Sequence, residues 1–126
     1  MMKKFLPVLL LPMLLAGCAQ FTNLSPRQQP RNANNLYPVE VAFNSKQQSL
    51  LWETIQPAVV VGVESYPLQR TVLMGNRWEG LIPVPAGSGG LEYQFKFDFK
   101  YNEFGQVPQP DSAISKKYSL RIIEAK

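Results

Sequence analysis

Two sheets packed face to face in an all-β antiparallel sandwich are the fold this chain predicts, on three observations. Apolar and polar residues alternate with period two in several runs, most clearly from Leu91 to Tyr101. Glycine and proline punctuate those runs, with 8 Gly and 11 Pro in 126 residues. The runs are short, and six or seven of them fit into about 90 residues, the spacing of a small sandwich.

The first stretch belongs to a different kind of segment. Lys3 and Lys4 precede an apolar run of 11 residues from Phe5 to Leu15, interrupted by Pro7 and Pro12. That run is well short of the ~20 apolar residues that cross a bilayer as a helix. Positive residues, then an apolar run, then small residues describe a cleavable secretory signal. The stretch closes in Leu15-Ala16-Gly17-Cys18, which resembles the lipobox of bacterial lipoproteins at every position of that motif. The resemblance implies diacylglyceryl attachment at the Cys18 thiol, removal of residues 1–17 by signal peptidase II, and acylation of the new amino terminus. Two or three acyl chains anchor stably where one does not. Ala19 in place of aspartate favours, by analogy with enterobacterial sorting, the outer membrane, with the protein held on the periplasmic side of the envelope.

Residues 18–35 read as a lipidated flexible tether. Pro26, Pro30 and several Asn and Gln break any period, and Arg27 and Arg31 are its only charges, read as solvated. The domain is expected to occupy residues 36–126. Tyr37, Val39, Val41 and Phe43 alternate with polar or small partners as a half-buried strand. Lys46 to Ile55 leans toward a helical turn or one short helix capped by Ser45, with Leu50, Leu51 and Ile55 on one face. A strand carrying Leu50, Trp52 and Thr54 is the alternative. Ala58 to Glu64 places Val59, Val61 and Val63 in period two, and Arg70 to Met74 and Trp78 to Val84 follow around Gly75-Asn76.

Leu91 to Tyr101 sets six large apolar groups on one face against Glu92, Gln94, Lys96, Asp98 and Lys100 on the other. Burying four of them, at about 1.5–3 kcal/mol each, would make this strand the centre of the core. Asn102 to Lys117 reads as a long loop, and Tyr118, Leu120 and Ile122 as a final strand. The whole fits an immunoglobulin-like sandwich without the disulfide of antibody domains; a small barrel is the alternative.

From Trp78 to Asp98 the letters Trp-Glu-Gly-Leu-Ile-Pro-Val-Pro-Ala-Gly, then Leu-Glu-Tyr-Gln-Phe-Lys-Phe-Asp, are similar to a hairpin of early-set immunoglobulin-like domains of the glycogen- and starch-binding type. The likeness covers 21 residues and departs after Asp98, where the chain continues as Phe99-Lys100-Tyr101. It implies a sandwich, and a glycan-binding module as one function class.

The residues argue against catalysis. The chain has no histidine, and its only cysteine is the one expected to carry lipid, so no cofactor, metal site or disulfide is expected. Glu92 and Asp98 stand about 20 Å apart along one strand, too far to act as a pair. Without residues 1–17, 11 basic residues face 9 acidic ones, too even a balance for a nucleic-acid binder. The expected function is therefore a lipid-anchored, non-catalytic protein-interaction or structural accessory module holding an envelope partner. The alternative is glycan binding through exposed aromatic faces. Trp52, Trp78 and Arg77 are the candidate contacts, with a core role the commoner one for a tryptophan in a small β-domain. Tyr118 to Glu124 is the candidate edge strand for adding a partner or a second copy, with Arg121 and Glu124 positioned to protect it.

Overall fold

A computed structural model describes residues 19–46, 49–102 and 105–124. Cys18 and the signal-like stretch lie outside the described residues. Among the described residues, ten strands form two sheets: β1 (Ala19–Asn23), β2 (Gln28–Pro30), β3 (Leu36–Ser45), β4 (Leu50–Val61), β5 (Glu64–Pro67), β6 (Gln69–Arg70), β7 (Arg77–Pro83), β8 (Gly90–Tyr101), β9 (Gln109–Ile114) and β10 (Tyr118–Ile123). The first sheet has the order β1-β3-β7-β6; the second runs β2-β10-β8-β4-β5, with β9 also on β8. All pairings are antiparallel except β2 with β10, which is parallel. The molecule is a sandwich, as the sequence predicts, and not a closed barrel.

Alternation decides which side chains meet between the sheets. Tyr37, Val39, Val41 and Phe43 of β3 point inward beside Trp78 and Ile82 of β7, and face Tyr93, Phe95, Phe97 and Phe99 of β8. Phe43 is the hub, with Phe97 at 4.9 Å, Phe21 at 5.0 Å, Trp52 and Phe99 at 6.1 Å and Trp78 at 6.5 Å between ring centres. The two innermost tyrosines keep their hydroxyls paired: Asn23 donates to Tyr93 Oη at 2.8 Å and the Asn32 amide to Tyr37 Oη at 3.2 Å. Four residues of the β8 stripe are buried, and Leu91 and Tyr101 at its ends are partly so.

Several expectations give way to tertiary pairing. Residues 19–35 are no tether: Phe21 inserts between the sheets from β1, and β2 covers the outer edge of β10. A short edge strand needs only one inward apolar group, so its polar composition resembles a linker. Gln29, buried in β2, reaches across to donate from Nε2 to Pro38 O at 2.9 Å. Arg31 is not a solvated charge, since it clamps Glu124 beyond the end of β10.

No helix forms over the described part of 46–55. β4 begins at Leu50 and pairs with β8, with a bulge between Leu51 and Gln56. Thr54 makes the bulge possible: its Oγ1 donates to Leu51 O at 2.6 Å and accepts the Lys100 amide at 2.9 Å. This side-chain pairing replaces the ladder bonds that the extra residues would lose.

The Val-rich strand stops at Val61. Gly62, with φ of 61°, and Val63 turn the chain into β5, which is why Val63 is 98% exposed instead of continuing the period. Residues 71–74 form a turn instead of a strand, and the expected loop 102–117 contains β9.

The residues from Trp78 to Asp98 form no hairpin either. β7 and β8 lie in different sheets, and the chain between them arches from one to the other. Gly90 makes the arrival possible. A β-carbon there would stand 2.1 Å from Leu120 O, and its φ is 148°, so only glycine lets β10 close on the start of β8. Finally, β10 is not an edge. β2 lies along it, and the Arg121 amide donates to Arg27 O at 2.9 Å.

Candidate functional site

The residues singled out from the sequence separate in space. Trp78 is 2% exposed and belongs to the core. Its register partner across β6 and β7 is Arg70, whose guanidinium carbon lies 4.8 Å from the Trp78 ring centre. Trp52, from the bulged part of β4, stacks with Trp78 at 6.3 Å with planes 6° apart, and meets Phe43 edge-on at 6.1 Å. Trp78 therefore offers no open face to a ligand, while Trp52 is half-buried against the core. Arg77 joins neither. It alternates with Trp78 and stands opposite Ala42 on the outer face of the first sheet.

That outer face carries a feature the strand pattern concealed. Leu36 and Pro38 of β3 face Pro83 and Leu81 of β7, and Leu24 follows β1 opposite Glu40. Leu24, Leu36 and Leu81 are exposed, Leu81 by 54%. Glu40 and Glu79, directly paired across β3 and β7, form a polar border to this patch. The half-buried strand pattern marked the inward residues and treated every outward one as simply wet; only the pairing of β3 with β7 gathers these leucines.

Among the described residues, besides a hollow of about 360 Å³ beside Val60, Gln94 and Lys117, there are two others. One, of about 420 Å³, opens on the outer face of the second sheet between the β4 bulge and β9, lined by Thr54, Gln56, Asp98, Lys100, Asp111 and Ser112. Asp111 there accepts the Ser112 amide at 2.7 Å, a local turn contact instead of a nucleophile with its base. Lys96 stands 4.0 Å from Asp98 in an exposed pair. The other, of about 400 Å³, lies between the sheets at the end where Leu36, Pro83 and Pro85 meet Val61, Tyr66 and Leu91, and is mostly apolar. Among the described residues, no three metal-ligating side chains gather.

The ion pair that joins the ends of β2 and β10 is structural. Arg31 holds Glu124 in a fork, Nε to Oε1 and Oε2 at 2.9 Å and Nη2 to Oε2 at 2.5 Å, and also donates from Nη2 to Ser88 O at 2.9 Å. These hydrogen bonds raise the Arg31 pKa and hold the Glu124 carboxyl below its ordinary value, outweighing the opposing effect of desolvation on each. At Tyr118, burial pushes the phenol up, helped by its neighbour Tyr93. No known family model, curated protein or solved structure matches this chain.

Proposed function

We propose that this chain is a lipid-anchored envelope lipoprotein whose sandwich is a non-catalytic module holding a protein partner. The observation that carries the reading is the apolar patch of Leu24, Leu36, Pro38 and Leu81 on the outer face of the first sheet, bordered by Glu40 and Glu79. A grouped apolar surface with a polar rim is the usual mark of a protein contact. The anchor rests on Leu15-Ala16-Gly17-Cys18 behind Lys3, Lys4 and the apolar run, and Ala19 favours the outer membrane. The glycan alternative loses support from Trp78, which is buried, and keeps only the accessible part of Trp52.

The test is a pull-down of the full-length lipidated protein from crosslinked cells, beside Leu81→Lys and Cys18→Ala forms. One stoichiometric envelope protein is expected with the native chain, and its loss with Leu81→Lys while circular dichroism stays native. Equal capture by Leu81→Lys would overturn the patch as the contact. Sedimentation distinguishes a second copy of the chain from a different partner.

A further inference from the structure

Because β1 starts at Ala19, the residue that follows Cys18, an anchor on Cys18 has no slack. One Cα step of about 3.8 Å separates the cysteine from the sandwich. The end of the sandwich at which β1 begins must then lie against the membrane, whereas a long tether would leave orientation free. The strand pairings identify what else stands at that end. Ala19 pairs with Ser45 at the close of β3, and the Phe43 amide donates to Asn76 O just before β7, so the β6–β7 turn is there. Leu50 pairs with Tyr101, and Tyr101 with Gln109, so the segment leading into β9 is there too.

Those two loops show aliphatic side chains to solvent: Leu73 is 97% exposed, Val72 82% and Val107 73%. Leu73 also has a φ of 64°. It is the third residue of a turn closed by the Met74 amide on Thr71 O at 3.1 Å, a place that glycine or asparagine ordinarily takes because a β-carbon is crowded there. A leucine held in that conformation with its side chain in water gains nothing from the fold. The turn is braced: Arg70 Nη1 donates to Gly75 O, and the Thr71 amide to Arg77 O at 2.9 Å. Two to three strand spacings, about 10–15 Å, separate the turn laterally from the start of β1, so both reach the same leaflet.

We propose that this end is a membrane-docking face, in which Val72, Leu73 and Val107 enter the headgroup–acyl boundary of the leaflet that holds the Cys18 lipid. The inference rests on the reading of Cys18 as the anchor. Docking of the tips holds the sandwich upright, with its patch of Leu24, Leu36 and Leu81 turned sideways along the membrane instead of toward it.

The experiment uses the full-length protein matured in cells, purified and placed in phosphatidylethanolamine–phosphatidylglycerol vesicles. Lipid consumes the thiol of the sole native cysteine, so Leu73→Cys, Val107→Cys and, at the far end, Val63→Cys each take a single environment-sensitive fluorophore. Mass spectrometry of each preparation first establishes whether Cys18 is acylated. The expected result is a blue-shifted emission at 73 and 107, quenched several-fold by nitroxide-bearing lipids, and a water-like, unquenched label at 63. An acylated protein whose label at 73 matches that at 63 would overturn the docking face and leave the anchor standing. An unacylated mature chain would overturn the anchor and the docking with it.

Discussion

Trp52 and Trp78 are stacked, their ring centres 6.3 Å apart and their planes 6° from parallel, although one comes from each sheet. This contact ties the bulge of β4 to the centre of the first sheet, and it makes both tryptophans parts of one packed layer with Phe43 and Phe97, with Trp52 still half-buried.

The two rings should differ in what they contribute. Replacing the buried Trp78 by alanine should cost about 3–5 kcal/mol, through lost burial and the cavity it leaves. Trp52→Ala, at a half-buried site, should cost about 1–2 kcal/mol. Urea unfolding of both variants checks this, with acrylamide quenching reporting mainly Trp52 in the native protein. Equal losses for the two would contradict the packing described.

The Arg31–Glu124 fork makes stability depend on pH in a defined direction. Glu124 has a lower pKa when folded than the ordinary value of 4.5. Its stabilisation is therefore complete above that value and fades as the pH falls through the lower folded one. Glu124→Gln should lower the urea midpoint at neutral pH, and the gap to the native protein should close below pH 4.5. A gap that persists unchanged in acid would mean that the carboxylate charge is not what holds β2 against β10.

Ser115 joins two strands that share one edge of β8. Its amide donates to Phe95 O at 2.9 Å, its Oγ accepts the Phe95 amide at 2.8 Å and donates to Lys116 O at 2.7 Å. Ser115→Ala leaves the buried Phe95 amide without a partner and should cost about 1–3 kcal/mol. Hydrogen exchange should quicken at Phe95 more than at Phe97, whose pairing with β9 is untouched. Native protection at Phe95 in the variant would remove Ser115 from this role.

What could be read along the chain was whatever depended on one strand at a time. Period two over Leu91–Tyr101, Tyr37–Phe43, Trp78–Val84 and Tyr118–Ile122 marked the inner faces of the sandwich, because a strand buried on one side must alternate whatever its neighbours are. The motif around Cys18 is local in the same sense. Strands whose bonds go to distant residues could not be read this way. Ala19–Asn23 and Gln28–Pro30 resemble a linker until β3 and β10 supply partners, and β4 resembles a helix start until Thr54 bridges its bulge to Lys100.

The surface features proposed as functional belong to that second kind. Leu24, Leu36 and Leu81 are scattered along the chain, and the pairing of β1, β3 and β7 brings them to one face. Val72, Leu73 and Val107 reach the end next to Ala19 only through the order in which strands cross the two sheets. Sequence by itself determined the β architecture, the inward faces and the expected anchor point, since each follows from residues adjacent in the chain. Tertiary structure alone decided the edges, the absence of a tether and the orientation of every outward group, since hydrogen-bond partners and shared surfaces are set by residues far apart in sequence.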